Sequence, residues 1–220
     1  MTNYSQTFSH LVELKLIPPK TVIDISNKIT ELLIEENNLL FISGPVTVVG
    51  DIHGQFFDLL LLFKESGYDN FPDQTPPHTF NFFEMKNIWR FQEIPSDGGL
   101  CDLLWSDPTD DIEQWTPSPR GSGWYFGEKV VDKFLKVNNM SLICRSHQLA
   151  PRGYYWWFEQ DPLKPKKKKV CTIWSAPNYC YTSENEASVL IFENKDAHKF
   201  VLYGASPNDP NHEYFLSEKK

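Results

Sequence analysis

Cysteine is scarce in this chain and never falls at the spacing of a metal knuckle: Cys101, Cys144, Cys171 and Cys180 are its four, with no C-x-x-C pair among them. This argues against a zinc knuckle, gives no sign of a disulfide framework, and reads as a reduced, cytoplasmic protein. Long apolar runs are lacking as well. The longest, Leu59 to Phe63, is far too short to span a bilayer, and Met1 to His10 has neither the basic nor the apolar segment of a secretory leader. Positive charge is the third shortage, since 21 Lys and Arg against 29 Asp and Glu leave a net charge of −8. Nucleic acid is thereby disfavoured as the main partner, because binding to a phosphate backbone is supplied chiefly by Lys and Arg. No membrane partner is expected either.

Aromatic residues, by contrast, are plentiful at 15% of the chain, with 7 Trp and 16 Phe, which suits a bulky core or a binding surface. A length of 220 residues fits one domain able to bury a core. Apolar residues recur at helical spacing from Phe8 to Leu16 and from Pro18 to Glu36, where Val22, Ile25, Ile29, Leu32 and Leu33 form one stripe. Strands are expected at Val46 to Val49, Thr79 to Phe83, Ser141 to Cys144 and Val170 to Trp174. Helices are expected at Gln55 to Ser66, with Phe56, Leu59, Leu60 and Phe63 facing inward, and at Gly127 to Val137. The lysine run Lys164 to Lys169 reads as a solvated hairpin tip, with a nuclear address or an acidic-partner patch as the alternative. The tail from Ser206 to Lys220 reads as irregular.

Chemistry concentrates where the first strand ends, in Gly50-Asp51-Ile52-His53-Gly54. At a frayed strand end, Asp51 and His53 can turn into one pocket, and the flanking glycines allow close backbone approach. Taken alone, this spacing is more often turn chemistry than a metal site. Later strands also end in polar residues, at Arg145-Ser146-His147 and Ser175-Ala176-Pro177-Asn178-Tyr179, as an active site assembled from distant segments requires.

Together, Gly50 to Gln55, Cys101-Asp102-Leu103-Leu104-Trp105-Ser106-Asp107-Pro108, Ser118-Pro119-Arg120-Gly121, Arg145 to Gln148 and Ser175 to Tyr181 resemble the phosphoprotein phosphatase family of two-metal serine/threonine phosphatases. Glu93-Ile94-Pro95, Val137-Asn138-Asn139, Leu142 to Arg145 and Tyr214-Phe215-Leu216 lean toward its type 2A-like branch, most of all toward protein phosphatase 6 catalytic subunits. The resemblance implies an α/β (α+β) calcineurin-like metallophosphoesterase sandwich of two mixed β-sheets flanked by helices. It also implies hydrolysis of phosphoserine and phosphothreonine with two divalent metal ions, manganese or iron and zinc. Asp51 and His53 would bind the first ion and His147 the second. Arg120 would act in catalysis by holding the substrate phosphate, Tyr179 would line the cleft, and Trp105 and Leu149 would frame its mouth. The plainer alternatives are that Trp105 is core and that Arg120 pairs with Asp102 or Asp107. Phosphoprotein substrates and the regulatory and scaffold subunits of the type 2A-like branch are the implied partners, in the cytoplasm and, as an alternative, the nucleus.

The resemblance also exposes a gap. The family's Gly-Asp-x-x-Asp-Arg-Gly, Gly-Asn-His-Glu and His-Gly-Gly segments are absent, and Phe83 runs within a few residues into Ile88 to Pro95. One internal deletion near residues 83–88 accounts for this, within a single catalytic domain of residues 1–216 followed by an extension of residues 217–220. Asn211-His212-Glu213 repeats part of a missing motif, but in the tail, where metal binding is not expected. The fold is therefore expected to be incomplete in the middle, with unpaired strand edges, an exposed apolar face and doubtful metal occupancy. Two further readings follow: a catalytically dead relative that binds a regulatory subunit or phosphopeptide, and a truncated or mis-spliced chain.

Overall fold

The computed structural model describes residues 3–38, 40, 42, 44–67, 92–159, 167–194 and 197–211. The expected strand at Thr79 to Phe83, the junction at 83–88, part of the lysine run and the end of the tail, including His212, Glu213 and residues 217–220, lie outside the described residues.

Two helices open the chain, α1 (Tyr4–Val12) and α2 (Pro19–Glu35). Asn3 caps α1 by accepting from the Gln6 amide at 3.1 Å, and Pro19 opens α2 at the position where a missing amide costs nothing. Among the described residues the α2 stripe joins none of the buried clusters. No residue of α2 is buried, and Val22, Ile29, Leu32 and Leu33 are each about half exposed or nearly so. The periodicity that makes a helix amphipathic says nothing of whether a partner face is present.

Strand β1 (Val46–Val49) leads through the Asp51 turn to α3 (Phe56–Glu65). The inward face of α3 is set by Gln55, Asp58 and Leu62, with Leu61 and Phe63 packed alongside, rather than by Leu59 and Leu60. With five consecutive apolar residues the sequence could not mark the face, and a buried polar anchor decides it. Asp58 accepts from the Ser206 amide at 2.6 Å and the Gln55 side chain at 2.7 Å. Next come α4 (Gly98–Trp105), β2 (Asp107–Pro108), β3 (Trp115–Pro117), β4 (Trp124–Phe126), α5 (Glu128–Val137), β5 (Ile143–Arg145), β6 (Tyr154–Trp157), β7 (Val170–Ile173), β8 (Ala187–Phe192) and β9 (His198–Tyr203).

Among the described residues the strands form three sheets of three: antiparallel β1-β8-β9, mixed β5-β7-β6 and mixed β2-β4-β3. Strand alternation stacks the first two. Cys171 and Ile173 of β7 meet Leu190 of β8 between the sheets, with Val48, Cys144, Tyr154, Trp156, Phe192 and Phe200 filling the same layer. Their alternates face outward to helices: Ala187 and Val189 pack on Leu62 of α3, and Val170 on Val131 and Leu135 of α5. The outcome is helix, sheet, sheet, helix, the expected sandwich, with the small third sheet beside it. Among the described residues β1 pairs only with β8, and β5 only with β7, so each stands at the edge of its sheet.

Candidate active site

The two sheets are tied together where β1 ends. The Gly50 amide donates to the Ser175 hydroxyl at 2.8 Å and the Asp51 amide to the Ser146 hydroxyl at 3.0 Å. Each serine then donates onward, Ser175 to the Ser188 carbonyl at 2.6 Å and Ser146 to the Ile173 carbonyl at 2.7 Å. Glycine is required at position 50, since a Cβ there would lie 2.2 Å from the Ile173 carbonyl oxygen. Asp51 is thereby carried across to Trp174, with which it forms an isolated parallel bridge.

His53 follows at φ 49°, a left-handed conformation uncommon for a residue with a side chain. Its Nε2 lies 3.5 Å from Asp51 Oδ2, and its ring rests against Tyr179 at 4.5 Å and Trp174 at 5.2 Å between centroids. His147, after β5, has φ 82° and meets Trp105 edge-on at 5.5 Å. The Nε2 of His147 is buried without a hydrogen-bond partner among the described residues. Burial first, then the positive charges of Arg120 and Arg145, hold this imidazole below the usual histidine range against the opposing pull of Asp107 and Asp51. Two strained imidazoles at strand ends, one with an orphaned nitrogen, are the kind of local cost that persists at sites held for function.

Arg120 lies in the turn between β3 and β4, where its amide donates to the Ser118 hydroxyl at 3.2 Å. Gly123 closes that turn at φ 69°, and a Cβ there would strike the Trp105 carbonyl carbon at 2.7 Å. The Arg120 Nε donates to Asp107 Oδ2 at 2.7 Å, and Arg145 Nη2 donates to Asp107 Oδ1 at 2.5 Å. Of the two open alternatives for Arg120, the Asp107 pairing is the one formed, through Nε alone. Trp105 is not core, since it is 36% exposed, and Leu149 is exposed as well.

The structure thus gathers Asp51, His53 and Tyr179 on one side and Trp105, His147 and Arg120 on the other, with the charges of Asp51, Asp107, Arg120 and Arg145 all acting on His147. The motifs carry Arg145, Ser146 and Ser175 without marking them as part of the site, and Asp107 only as an alternative partner of Arg120. The signal for Arg145, Ser146 and Ser175 is the polar residue at or just past the end of β5 and β7. A metal centre needs three or more protein donors, and the described residues supply no group of three His, Cys, Asp or Glu close enough to hold an ion. The donors present, a carboxylate with its neighbouring imidazole and a separate imidazole, do not fit a complete two-ion centre.

The profile of the calcineurin-like phosphoesterases matches residues 66–151. Across 89% of this chain and 89% of the relative, the sequence is 31% identical to the serine/threonine-protein phosphatase 4 catalytic subunit of Candida glabrata. It is 29% identical to serine/threonine-protein phosphatase ppe1 of Schizosaccharomyces pombe, over 92% of this chain and 95% of that one. A solved protein serine/threonine phosphatase from Saccharomyces cerevisiae, described as similar to human phosphatase PP5, shares the fold. Its TM-score is 0.75 over 96% of this chain and 98% of its own, at 22% identity.

Proposed function

Because the chain belongs to the serine/threonine-protein phosphatases of the calcineurin-like phosphoesterase fold, we propose that it acts on phosphoserine and phosphothreonine in proteins, as a hydrolase of their phosphate esters. One observation carries this reading: the exposed guanidinium of Arg120 and the buried, unpartnered Nε2 of His147 belong to one cluster of charges at the end of β5. Arg120 takes the phosphate through paired N–H donors. Trp105 and Leu149 frame the mouth and Tyr179 lines the wall beside His53. The family implies divalent metal ions. Asp51 and His53 are proposed as the donors that remain for one ion and His147 for the other.

A second reading, a phosphopeptide or regulatory-subunit binding relative without turnover, is favoured by that short donor set. The alignment supports the gap that would cause it. A match of 284 positions to a chain of 220 residues leaves 64 or more positions of the alignment facing no residue here. We place the gap near 83–88 within a single domain of residues 1–216, with 217–220 as an extension. The branch is proposed as type 2A-like, nearest protein phosphatase 6 catalytic subunits, with that branch's regulatory and scaffold subunits as partners in the cytoplasm or nucleus.

The test is turnover of a phosphoserine peptide by the purified chain with added manganese, alongside its metal content by mass spectrometry. Release of phosphate that Arg120→Ala abolishes supports hydrolysis. Phosphopeptide binding with no phosphate release assigns the chain to the second reading.

A further inference from the structure

Asp107 is completely buried, and two arginines from different elements divide its carboxylate. The two guanidiniums differ in what they have left to give. Arg145, with a side chain 15% exposed, is engaged at both terminal nitrogens: Nη1 donates to Gln148 Oε1 at 2.8 Å and reaches Thr172 Oγ1 at 3.4 Å, while Nη2 serves Asp107 and lies 3.4 Å from the Ser106 carbonyl. Arg120, with a side chain 36% exposed, gives Asp107 only its inner Nε. Among the described residues neither of its terminal nitrogens has a partner, which leaves both for a ligand, and a bond at Nε restricts rotation of the planar group that carries them.

Charge explains why two arginines are present. One buried carboxylate facing one guanidinium would form a neutral pair with little pull on an anion. With Arg145 the group keeps a net positive charge, and the carboxylate is fully paired, as a buried charge must be. We propose that Asp107 is a positioning residue for phosphate capture: it aims the terminal nitrogens of Arg120, and Arg145 supplies the second charge that keeps the cluster attractive to a phosphate dianion. This rests on the reading of Arg120 as the phosphate ligand, and adds the residues that make it one.

Binding separates the two ideas without needing turnover. The full chain is titrated with a phosphoserine peptide, its unphosphorylated form and inorganic phosphate, followed by calorimetry. Arg120→Ala is expected to lower affinity for the two phosphate probes by about tenfold or more, the worth of a charge-assisted hydrogen bond. Asp107→Asn adds positive charge and should still lower affinity by a similar factor alone, because Arg120 loses its aim, and it should bring no further loss in the Arg120→Ala background, where no guanidinium is left to aim. A purely structural role would lower melting temperature and leave the affinity of the folded protein unchanged. Arg120→Lys guards against an Asp107 variant that fails to fold: it keeps a charge beside Asp107 but cannot hold that carboxylate and present a planar fork together, so it too should lose about tenfold. Wild-type affinity in either Asp107→Asn or Arg120→Lys overturns the positioning role alone. No phosphate binding by the unsubstituted chain overturns it together with the phosphate-ligand reading beneath it.

Discussion

Gly50 donates its amide to the Ser175 hydroxyl at 2.8 Å, and so joins the end of β1 to the end of β7 across the two sheets. Ser175 also donates to the Ser188 carbonyl at 2.6 Å, so one buried hydroxyl serves three strands. Removing it in Ser175→Ala leaves two buried backbone groups short of a partner, which should cost about 1–3 kcal/mol. Gly50→Ala should cost about 3 kcal/mol or more, as overpacking against backbone cannot relax by rotating a side chain. Urea denaturation followed by circular dichroism measures both. A Gly50→Ala protein as stable as the parent would refute the close approach.

Much of the sandwich was legible because its strands end in chemistry. The strands at Val46 and Val170 and the helix at Gly127 are found within a residue or two of where patterning puts them, and the charges of Asp51 and Arg120, distant in sequence, both act on His147. Sequence could not show which face of α3 is inward, because Leu59 to Phe63 are all apolar and the choice falls to Asp58 and its bond from Ser206, distant in sequence. The Asp107 network was also hidden. Its three members lie on β2, on the β3–β4 turn and on β5, and only tertiary structure makes one carboxylate common to two arginines.

The contrast between the two apolar layers is open to measurement. Leu190 is fully buried between the sheets, so Leu190→Ala should destabilise by about 2–5 kcal/mol. Leu33, on α2, is 49% exposed, and Leu33→Ser should change stability by less than about 0.5 kcal/mol. Comparable losses at both positions would mean that α2 is packed in solution.

Thiol reactivity should single out one cysteine. Cys101 and Cys171 are buried, and burial pushes the Cys144 thiol up to about 12, leaving almost no thiolate at neutral pH. Cys180 is exposed beside Tyr179. Brief iodoacetamide treatment of the native protein, read by peptide mass spectrometry, should therefore label Cys180 and spare the other three. Labelling of Cys171 before unfolding would show that the inter-sheet layer opens.

Metal should contribute little to folding. If two donors hold an ion with a Kd at or above about 1 mM, then 1 mM manganese stabilises the chain by no more than about 0.4 kcal/mol. The melting temperature should therefore be nearly the same in manganese and in chelator. A rise of several degrees in manganese, lost in His53→Ala, would indicate a donor set larger than Asp51, His53 and His147.

His147 ties stability to pH in a direction that can be worked out. Its pKa in the folded chain lies below the ordinary histidine value, through burial first and then Arg120. The unfolded chain, titrating near the usual value of about 6.5, therefore takes up a proton that the folded chain refuses. Proton uptake by the unfolded state alone lowers stability. The contribution of this group is complete above about pH 6.5 and is lost as pH falls from there through the folded pKa, below which both states are protonated and the dependence ends. Urea midpoints measured from pH 7.5 to pH 5 should fall for the parent chain, and less steeply for His147→Asn, which keeps a polar side chain and cannot titrate. Equal slopes for the two proteins would show that the pH dependence arises elsewhere. A proton-coupled shift of the His147 ring signals with a midpoint above 6.5 would show that Asp107 and Asp51, rather than burial and Arg120, govern the ring.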